Sequence, residues 1–336
     1  MEEYLLAIES SCDDTAAAVL QLEGKLLSNV VAAQLQHQAY GGVVPELAAR
    51  KHEQAIGRVV KAALERAKVS PTALKAVAFT QGPGLQGALM VGAGYAKGLA
   101  LSLGIPLIAV DHLTGHLLSV RGLPEPPAYP YLALTVSGGH TDLTLVHGPA
   151  HIERIGKTLD DAAGEAFDKI GKLLGLPYPA GPALDKLAQG VEPEPKRFPY
   201  PKVEGFNFSF SGLKTAVLYD LQKRVAEAPD YIERNKASLA ASVQDVIIRF
   251  LLDKLFQAAE TYQVAELAIV GGVSANSALR KQAKERAVKH GCQVFIPPIE
   301  LCTDNAAMIG FAALEKYQQG DFASLQVTTY PSGKRA

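Results

Sequence analysis

His112 and His116 stand four residues apart in His112-Leu-Thr-Gly-His116. On a helix both imidazoles share one face, about 5–6 Å apart at Cβ, which lets two nitrogens bind one metal ion. A protease of the HExxH kind needs a glutamate directly after its first histidine to activate water, and Leu113 stands there instead. Two ligands do not close a site, and spacing alone names no third. Two polar tips, residues 9–15 and 137–141, each fall between apolar runs. The small residues Ser137, Gly138 and Gly139 would let a phosphate approach backbone amides. Glu9, Asp13 and Asp14 would repel phosphate unless a cation or proton transfer intervenes. Either tip alone is equally compatible with a plain hairpin turn. Ile269 to Asn276 reads as a strand, a Gly-Gly turn and a helix start. Such a turn can seat a nucleotide on a helix N-terminus, or Ser274 or Asn276 can simply cap the helix. In Asp160 to Asp168, the first two acids suit the positive end of a helix dipole. Asp168, a turn further in beside Gly164 and Glu165, is a candidate for binding ribose hydroxyls.

The elements that must carry these residues are legible from hydrophobic period. Tyr4–Ile8, Thr15–Leu20 and Lys25–Ala33 read as a hairpin followed by a third strand. Pro45–Val69 has helical periodicity with proline in the first turn. Ala76–Thr80 is a strand closed by Gln81-Gly-Pro-Gly84. A small-residue helix then runs to about Leu103, and Leu107–Val110 is a strand. The pattern restarts with strands at Tyr131–Val136, Thr141–Val146 and Ile152–Lys157. Helices follow at Asp161–Leu174, Ser211–Ala226 and within Tyr231–Tyr262. Leu267–Val270 and Val294–Ile296 are strands, and Ala275–Lys289 and Asp304–Tyr317 are helices. Strands around a polar tip and then helices, twice over, predict a duplicated α/β lobe. The proline-rich stretch 191–210 has no period and is expected to be a long loop.

Composition narrows the classes. The chain has 336 residues, 48% hydrophobic and 20% charged, which excludes wholesale disorder and suits about two domains. A net charge of -1 excludes a uniformly basic nucleic-acid binder but permits a local basic patch. Cys12, Cys292 and Cys302 form no CxxC pair, and Met1-Glu2-Glu3 lacks a secretory charge pattern, so a reduced, cytoplasmic setting is expected. The apolar stretch Gly87–Val110 contains Lys97, Gly104 and Pro106, which argues against a membrane span.

Taken together, the motifs resemble one family. They are Glu9-Ser-Ser-Cys-Asp-Asp-Thr15, Gly41-Gly-Val-Val-Pro-Glu-Leu-Ala-Ala-Arg50, Gly82-Pro-Gly84, His112 with His116 and Val136-Ser-Gly-Gly-His-Thr141. Asp160 to Lys169, Phe208 to Thr215, Gly271 to Asn276 and Cys302-Thr-Asp-Asn305 complete the set, in order from about residue 4 to 320. The resemblance is to the tRNA N6-adenosine threonylcarbamoyltransferases, once labelled glycoproteases. One departure is Asp14, where the family commonly has Glu.

The resemblance implies an α/β fold of two related actin-like, ribonuclease H-like (ASKHA) lobes, each a mixed sheet flanked by helices, with the ligand in the interlobe cleft. It divides the chain into residues 1–111 with about 297–325, a second lobe 112–296, and a tail 326–336. It implies transfer of threonylcarbamoyl from threonylcarbamoyl-AMP to N6 of the tRNA adenosine beside the anticodon, in tRNAs reading codons that begin with adenine. His112, His116 and Asp304 match the family's metal ligands, for one divalent ion, iron favoured and zinc possible. Thr135, Val136, Ser137, Gly138, Gly139, Asp168, Gly181, Asp185 and Asn276 match positions that bind the acyl adenylate or ATP. Asp13 matches an acidic residue associated with activity. Implied partners are tRNA, a dimerisation paralogue (TsaB-like) and a P-loop ATPase (TsaE-like). Arg50, Lys51, Arg58, Lys196, Arg197 and Lys202 are candidates for a tRNA patch. The helix Gly87–Leu103 is either a partner surface or an ordinary buried helix. The rival readings are an ATPase or kinase of the same fold and a nucleotide-dependent scaffold.

Overall fold

The structure is a computed structural model that describes residues 2–34 and 43–331. Gly41 and Gly42 of the expected motif, and residues 332–336 of the expected tail, lie outside the described residues. The chain divides into two compact units, Met1–Pro126 with Thr303–Ala336, and Pro127–Cys302.

The first unit is built on β1 (Tyr4–Glu9), β2 (Thr15–Gln21), β3 (Leu26–Ala32), α1 (Pro45–Ala67), β4 (Leu74–Gly82), α2 (Gln86–Leu103), β5 (Leu107–Asp111) and α3 (His112–Leu118). Its sheet has the order β3-β2-β1-β4-β5. The first three strands pair antiparallel, and β4 and β5 continue parallel to β1. Leu5 to Ile8 of β1 are fully buried because helices cover both faces, so the strand reads as a continuous apolar run without alternation. Leu6, Ile8, Val19 and Phe79 pack with the α1 stripe Ile56, Val59, Val60 and Ala63.

The second unit contains β6 (Tyr131–Val136), β7 (Thr141–Gly148), β8 (His151–Lys157), α4 (Ala163–Leu173), α5 (Ala180–Ala188), α6 (Ser211–Glu227), α7 (Tyr231–Tyr262), β9 (Glu266–Val270), α8 (Ser277–His290) and β10 (Gln293–Phe295). Its order, β10-β9-β6-β7-β8, repeats the first sheet's connectivity, with three antiparallel strands and two added in parallel. The duplication expected from the sequence is therefore present at the level of topology. The chain then returns to the first unit as α9 (Ala306–Gln318). There Gly310 lies so close to Leu20 that a Cβ would stand 2.3 Å from its Cδ1. Leu20 neighbours Val19 in β2, so α9 covers the face opposite α1.

Several boundaries differ from expectation. The first unit extends to Pro126 because α3 packs on α9, with Gly115 against Met308 and Ile309. The second holds its end to Cys302 because the Arg280 guanidinium of α8 donates to the Pro297 carbonyl and to Cys302 Sγ. Helix α4 begins at Ala163, so Asp160 is not at its N-terminus. Asp160 instead accepts from the Phe210 and Ser211 amides and both flanking serine hydroxyls, capping α6. Residues 191–207 form no helix or strand, as expected, yet Phe198, Phe208 and Phe210 are buried in the core. Arg197 is a correction to the proposed tRNA patch. Its side chain is 7% exposed, ion-paired to Glu194 and Asp220, and donates to Tyr231 Oη. It braces the loop from inside. No helix among the described residues is long and apolar enough to cross a membrane.

Candidate functional site

Strand β5 runs directly into α3. Asp111 is the N-cap, its Oδ1 accepting from the Thr114 amide at 2.8 Å. That places His112 in the first turn and His116 one turn later on the same face, both buried. Asp304 stands just before Asn305, which caps α9 by accepting from the Met308 amide. Asp304 Oδ1 lies 3.1 Å from His116 Nε2 and 3.6 Å from His112 Nε2. One donor atom from each of the three residues falls within 4.8 Å of the others. Two imidazoles and one carboxylate suit Fe2+ or Zn2+ better than Mg2+ or Ca2+, which prefer all-oxygen shells.

The charge around the cluster fits a cation. Glu9, at the end of β1, is fully buried and accepts from Thr80 Oγ1 at 2.6 Å and from the Ser11 amide. Its Oε2 lies 3.2 Å from His112 Nδ1, so His112 donates there and turns Nε2 toward Asp304. Burial alone would lower the His112 pKa, but the carboxylates of Asp304 and Glu9 outweigh it and bring it up to about 9. Burial would raise Glu9, and the His112 charge reverses that, so its carboxyl is held below the ordinary value. Burial, then the charges of Asp13, Asp304 and Glu9, push Asp14 up to about 6. Carboxylates that raise one another in this way would be stabilised by a divalent ion, which His112, His116 and Asp304 are placed to hold.

The acidic tip is fixed from three sides. His52 of α1 donates from Nε2 to the Cys12 carbonyl at 3.0 Å, while its Nδ1 accepts from Thr15 Oγ1 at 2.8 Å. The Leu85 amide donates to the Ser11 carbonyl, and Gly84 approaches that carbonyl so closely that a Cβ would stand 2.5 Å away. The Gly82-Pro-Gly84 motif therefore serves close backbone approach. Asp13, half-buried, sits on the tip so held.

In the second unit the Ser137-Gly138-Gly139 tip lies between β6 and β7, with both glycines exposed. Ser137 Oγ accepts from the His140 amide, and the Ser137 carbonyl accepts from the Gly164 amide of α4. Gly271, at φ +89°, lies against Val136, where a Cβ would stand 2.5 Å from the carbonyl oxygen. A Gly271→Ala chain should lose about 2–3 kcal/mol of stability, because both the backbone conformation and the contact oppose a side chain. Urea denaturation reads this, and a loss under about 0.5 kcal/mol would refute it.

Asp168 Oδ1 accepts from the Ala180 and Gly181 amides, capping α5. Burial raises its pKa despite those two bonds. Asp185 accepts from the amide and hydroxyl of Ser277, and Asn276 Oδ1 from the Leu279 amide, so both cap α8. Asn276 Nδ2 donates to Gln244. These candidates thus join α4, α5 and α8 around the Gly-rich turns, with Thr135 and Val136 buried in β6. The anticipated N-cap at Asn276 is present. Sequence reasoning missed Glu9, Ser11 and Thr80 as the support of His112. The available signal was a carboxylate ending a wholly apolar strand, which demands a buried partner.

Comparison with known proteins fits this arrangement. The family model described as tRNA N6-adenosine threonylcarbamoyltransferase matches residues 25–311. The protein of that name from Christiangramia forsetii is 51% identical over 327 residues, covering 96% of each chain. That from Porphyromonas gingivalis is 50% identical over 332 residues, covering 97% of each. One from Thermosipho africanus is 46% identical over 333 residues, covering 98% of this chain and 99% of the other. Among solved structures, HypF in a phosphate- and nucleotide-bound form has a TM-score of 0.62 at 14% identity, over 96% of this chain and 56% of that one. The Acidaminococcus fermentans (R)-2-hydroxyglutaryl-CoA dehydratase component A has a TM-score of 0.55 at 14% identity, over 94% and 98%. The structural likenesses establish the fold alone, an α/β fold of the actin-like class with two sheets of one topology. The sequence likenesses go further: this chain belongs to the tRNA N6-adenosine threonylcarbamoyltransferase family.

Proposed function

We propose that this chain transfers the threonylcarbamoyl group from threonylcarbamoyl-AMP to N6 of the adenosine 3′ to the anticodon, in tRNAs reading codons that begin with adenine. The observation that carries the reading is the cluster of buried His112 and His116 with half-buried Asp304, beside the Asp13 tip, in a chain of this family. An exocyclic adenine amine is a weak nucleophile, because its lone pair is delocalised into the ring. The mixed anhydride compensates with a good leaving group. The N6–carbonyl bond forms, the carbonyl–O–phosphate bond breaks and AMP departs. Asp13 accepts the N6 proton at a carboxylate oxygen. When bound to His112, His116 and Asp304, a divalent ion, iron favoured and zinc possible, supplies Lewis-acid charge to an oxygen of the transferred group. The amides of Gly138 and Gly139 hold the phosphate, while the Ser137 amide is spent on the His140 carbonyl and shapes the tip. Asp168, whose Oδ1 is spent on α5, offers Oδ2 to a ribose hydroxyl, and Gly181, Asp185 and Asn276 shape the nucleoside pocket. The same pocket admits ATP.

The family relationship favours transfer over the ATPase, kinase and scaffold readings. As partners we infer tRNA, a dimerisation paralogue and a P-loop ATPase, in the cytoplasm. The α2 face that exposes Met90 at 60% and Leu101 at 68%, with Gly94 and Gly98 between, would serve protein contact. Arg50, Lys51 and Arg58 of the first unit and, separately, Lys196 and Lys202 of the second stay candidates for tRNA contact, the exposed Arg50–Glu46 pair being weak enough to exchange for a phosphate. Single-turnover transfer to unmodified tRNA, supplied with threonylcarbamoyl-AMP and the partner proteins, tests the proposal. Steady ATP turnover by this chain alone, with unmodified tRNA at the end, would overturn it in favour of the kinase reading.

A further inference from the structure

The C-terminal segment does not trail away from the first unit. Ala323 donates its amide to the Leu107 carbonyl at 2.8 Å, bridging to β5. Val327 packs partly buried against the first unit's core, and its carbonyl accepts from Lys97 Nζ of α2 at 2.6 Å. Gln81 donates from Nε2 to the Thr328 carbonyl at 2.9 Å, and Gln86 from Nε2 to Thr329 Oγ1 at 3.0 Å. The Tyr330 amide donates to the Gln81 carbonyl at 3.2 Å. Residue 82 is glycine where this strap crosses, since a Cβ there would stand 2.2 Å from the Tyr330 carbonyl oxygen.

The strap ends on a functional element. Tyr330 Oη donates to Asp111 Oδ2, while Oδ1 of the same carboxylate caps α3 through the Thr114 amide. One carboxylate is thus shared between the strap and the first turn of the helix that begins with His112. A charge-assisted bond from a phenol fixes the Asp111 side chain more firmly than the cap alone. Helix α3 has seven residues, too few to hold its own geometry in isolation, so its packing on α9 and the fixation of its N-cap together set where His112 and His116 point. We propose that residues 323–330 form a latch, and that Tyr330 is a positioning residue acting through Asp111 on the two histidines. The proposal rests on the reading of α3 as the metal-binding helix.

The test uses the full chain and Zn2+ as the probe. Tyr330→Phe keeps the ring that packs over Gly82 and deletes only the hydroxyl. It should speed amide exchange at Thr114 and the following α3 residues, weaken Zn2+ binding about tenfold, and leave the thermal midpoint within a few degrees. Both effects should vanish in an Asp111→Asn background, which a general packing role would not produce. Gln81→Leu removes the side-chain bond to the Thr328 carbonyl, keeps the backbone bond to the Tyr330 amide, and should give the same exchange pattern with the Tyr330 and Asp111 side chains unaltered. Wild-type α3 exchange and Zn2+ affinity in Tyr330→Phe would overturn the latch. A wild-type chain that holds no Zn2+ would overturn the metal reading instead, and the exchange data would still decide on the latch.

Discussion

The His112→Ala chain is expected to lose both its metal and its transfer activity. Removing an outer partner of a metal ligand typically costs 10–100-fold in affinity or rate. In the proposed site His112 would supply one of three protein donors among the described residues, so its loss should exceed about a hundredfold in both. The same substitution leaves Glu9, which is wholly buried, facing a void where an imidazole donated. Breaking a buried pair by removing one partner costs about 3–5 kcal/mol, so part of any lost activity would be lost folding. His116→Ala separates the two effects. His116 makes no hydrogen bond to Glu9 among the described residues, so its removal costs the metal donor, the Nε2 contact with Asp304 and the packing against the His112 ring, without stranding Glu9. Metal content after desalting and single-turnover transfer, measured on both variants, should fall together. Transfer at the wild-type rate by a metal-free His116→Ala chain would sink the Lewis-acid role.

The parts of this molecule legible in the sequence are those governed by short-range rules. The paired lobes were visible because a polar tip between apolar runs, followed by amphipathic helices, recurs in both halves. The His112/His116 spacing carried its own geometry. What escaped is tertiary. Helix α5 has no legible start in the sequence, because Gly175, Pro177 and Pro179 have loop chemistry and its cap comes from Asp168 on another helix. Asp160 looked like a dipole partner for α4 because the two are adjacent in sequence. It caps α6 instead, some 50 residues later. Arg197 looked like a surface cation because its neighbours are polar, while Asp220 and Tyr231 that bury it lie far along the chain. The C-terminal strap carries no period at all. Its order comes from side chains on β4 and α2 that reach its backbone.

Glu9→Gln should reveal a defect whose size depends on pH. In the metal-free chain His112 holds its proton up to about pH 9, because two carboxylates face it. A folded-state value above the ordinary 6.5 means that this proton stabilises the metal-free fold fully below about pH 6.5, and that the contribution is lost as pH rises through about 9. Metal must displace the proton from Nε2, so metal affinity runs the other way, rising roughly tenfold per pH unit until about pH 9. At pH 7 the competition costs wild type on the order of a hundredfold, two units below that value. Glutamine keeps the side chain's shape but removes one of the charges that hold the proton, so competition in the variant is weaker. It also removes the charged acceptor that orients His112 and raises its basicity, which costs 10–100-fold in intrinsic affinity. The two changes oppose each other near pH 7 and only the second survives at pH 9.5. Competition titrations with Zn2+ and a chelator should therefore find the two chains close together at pH 7 and separated by at least tenfold at pH 9.5. Equal affinities at pH 9.5 would remove Glu9 from the metal site. A wild-type affinity that stays flat between pH 6.5 and 9 would show that His112 carries no proton for the metal to displace.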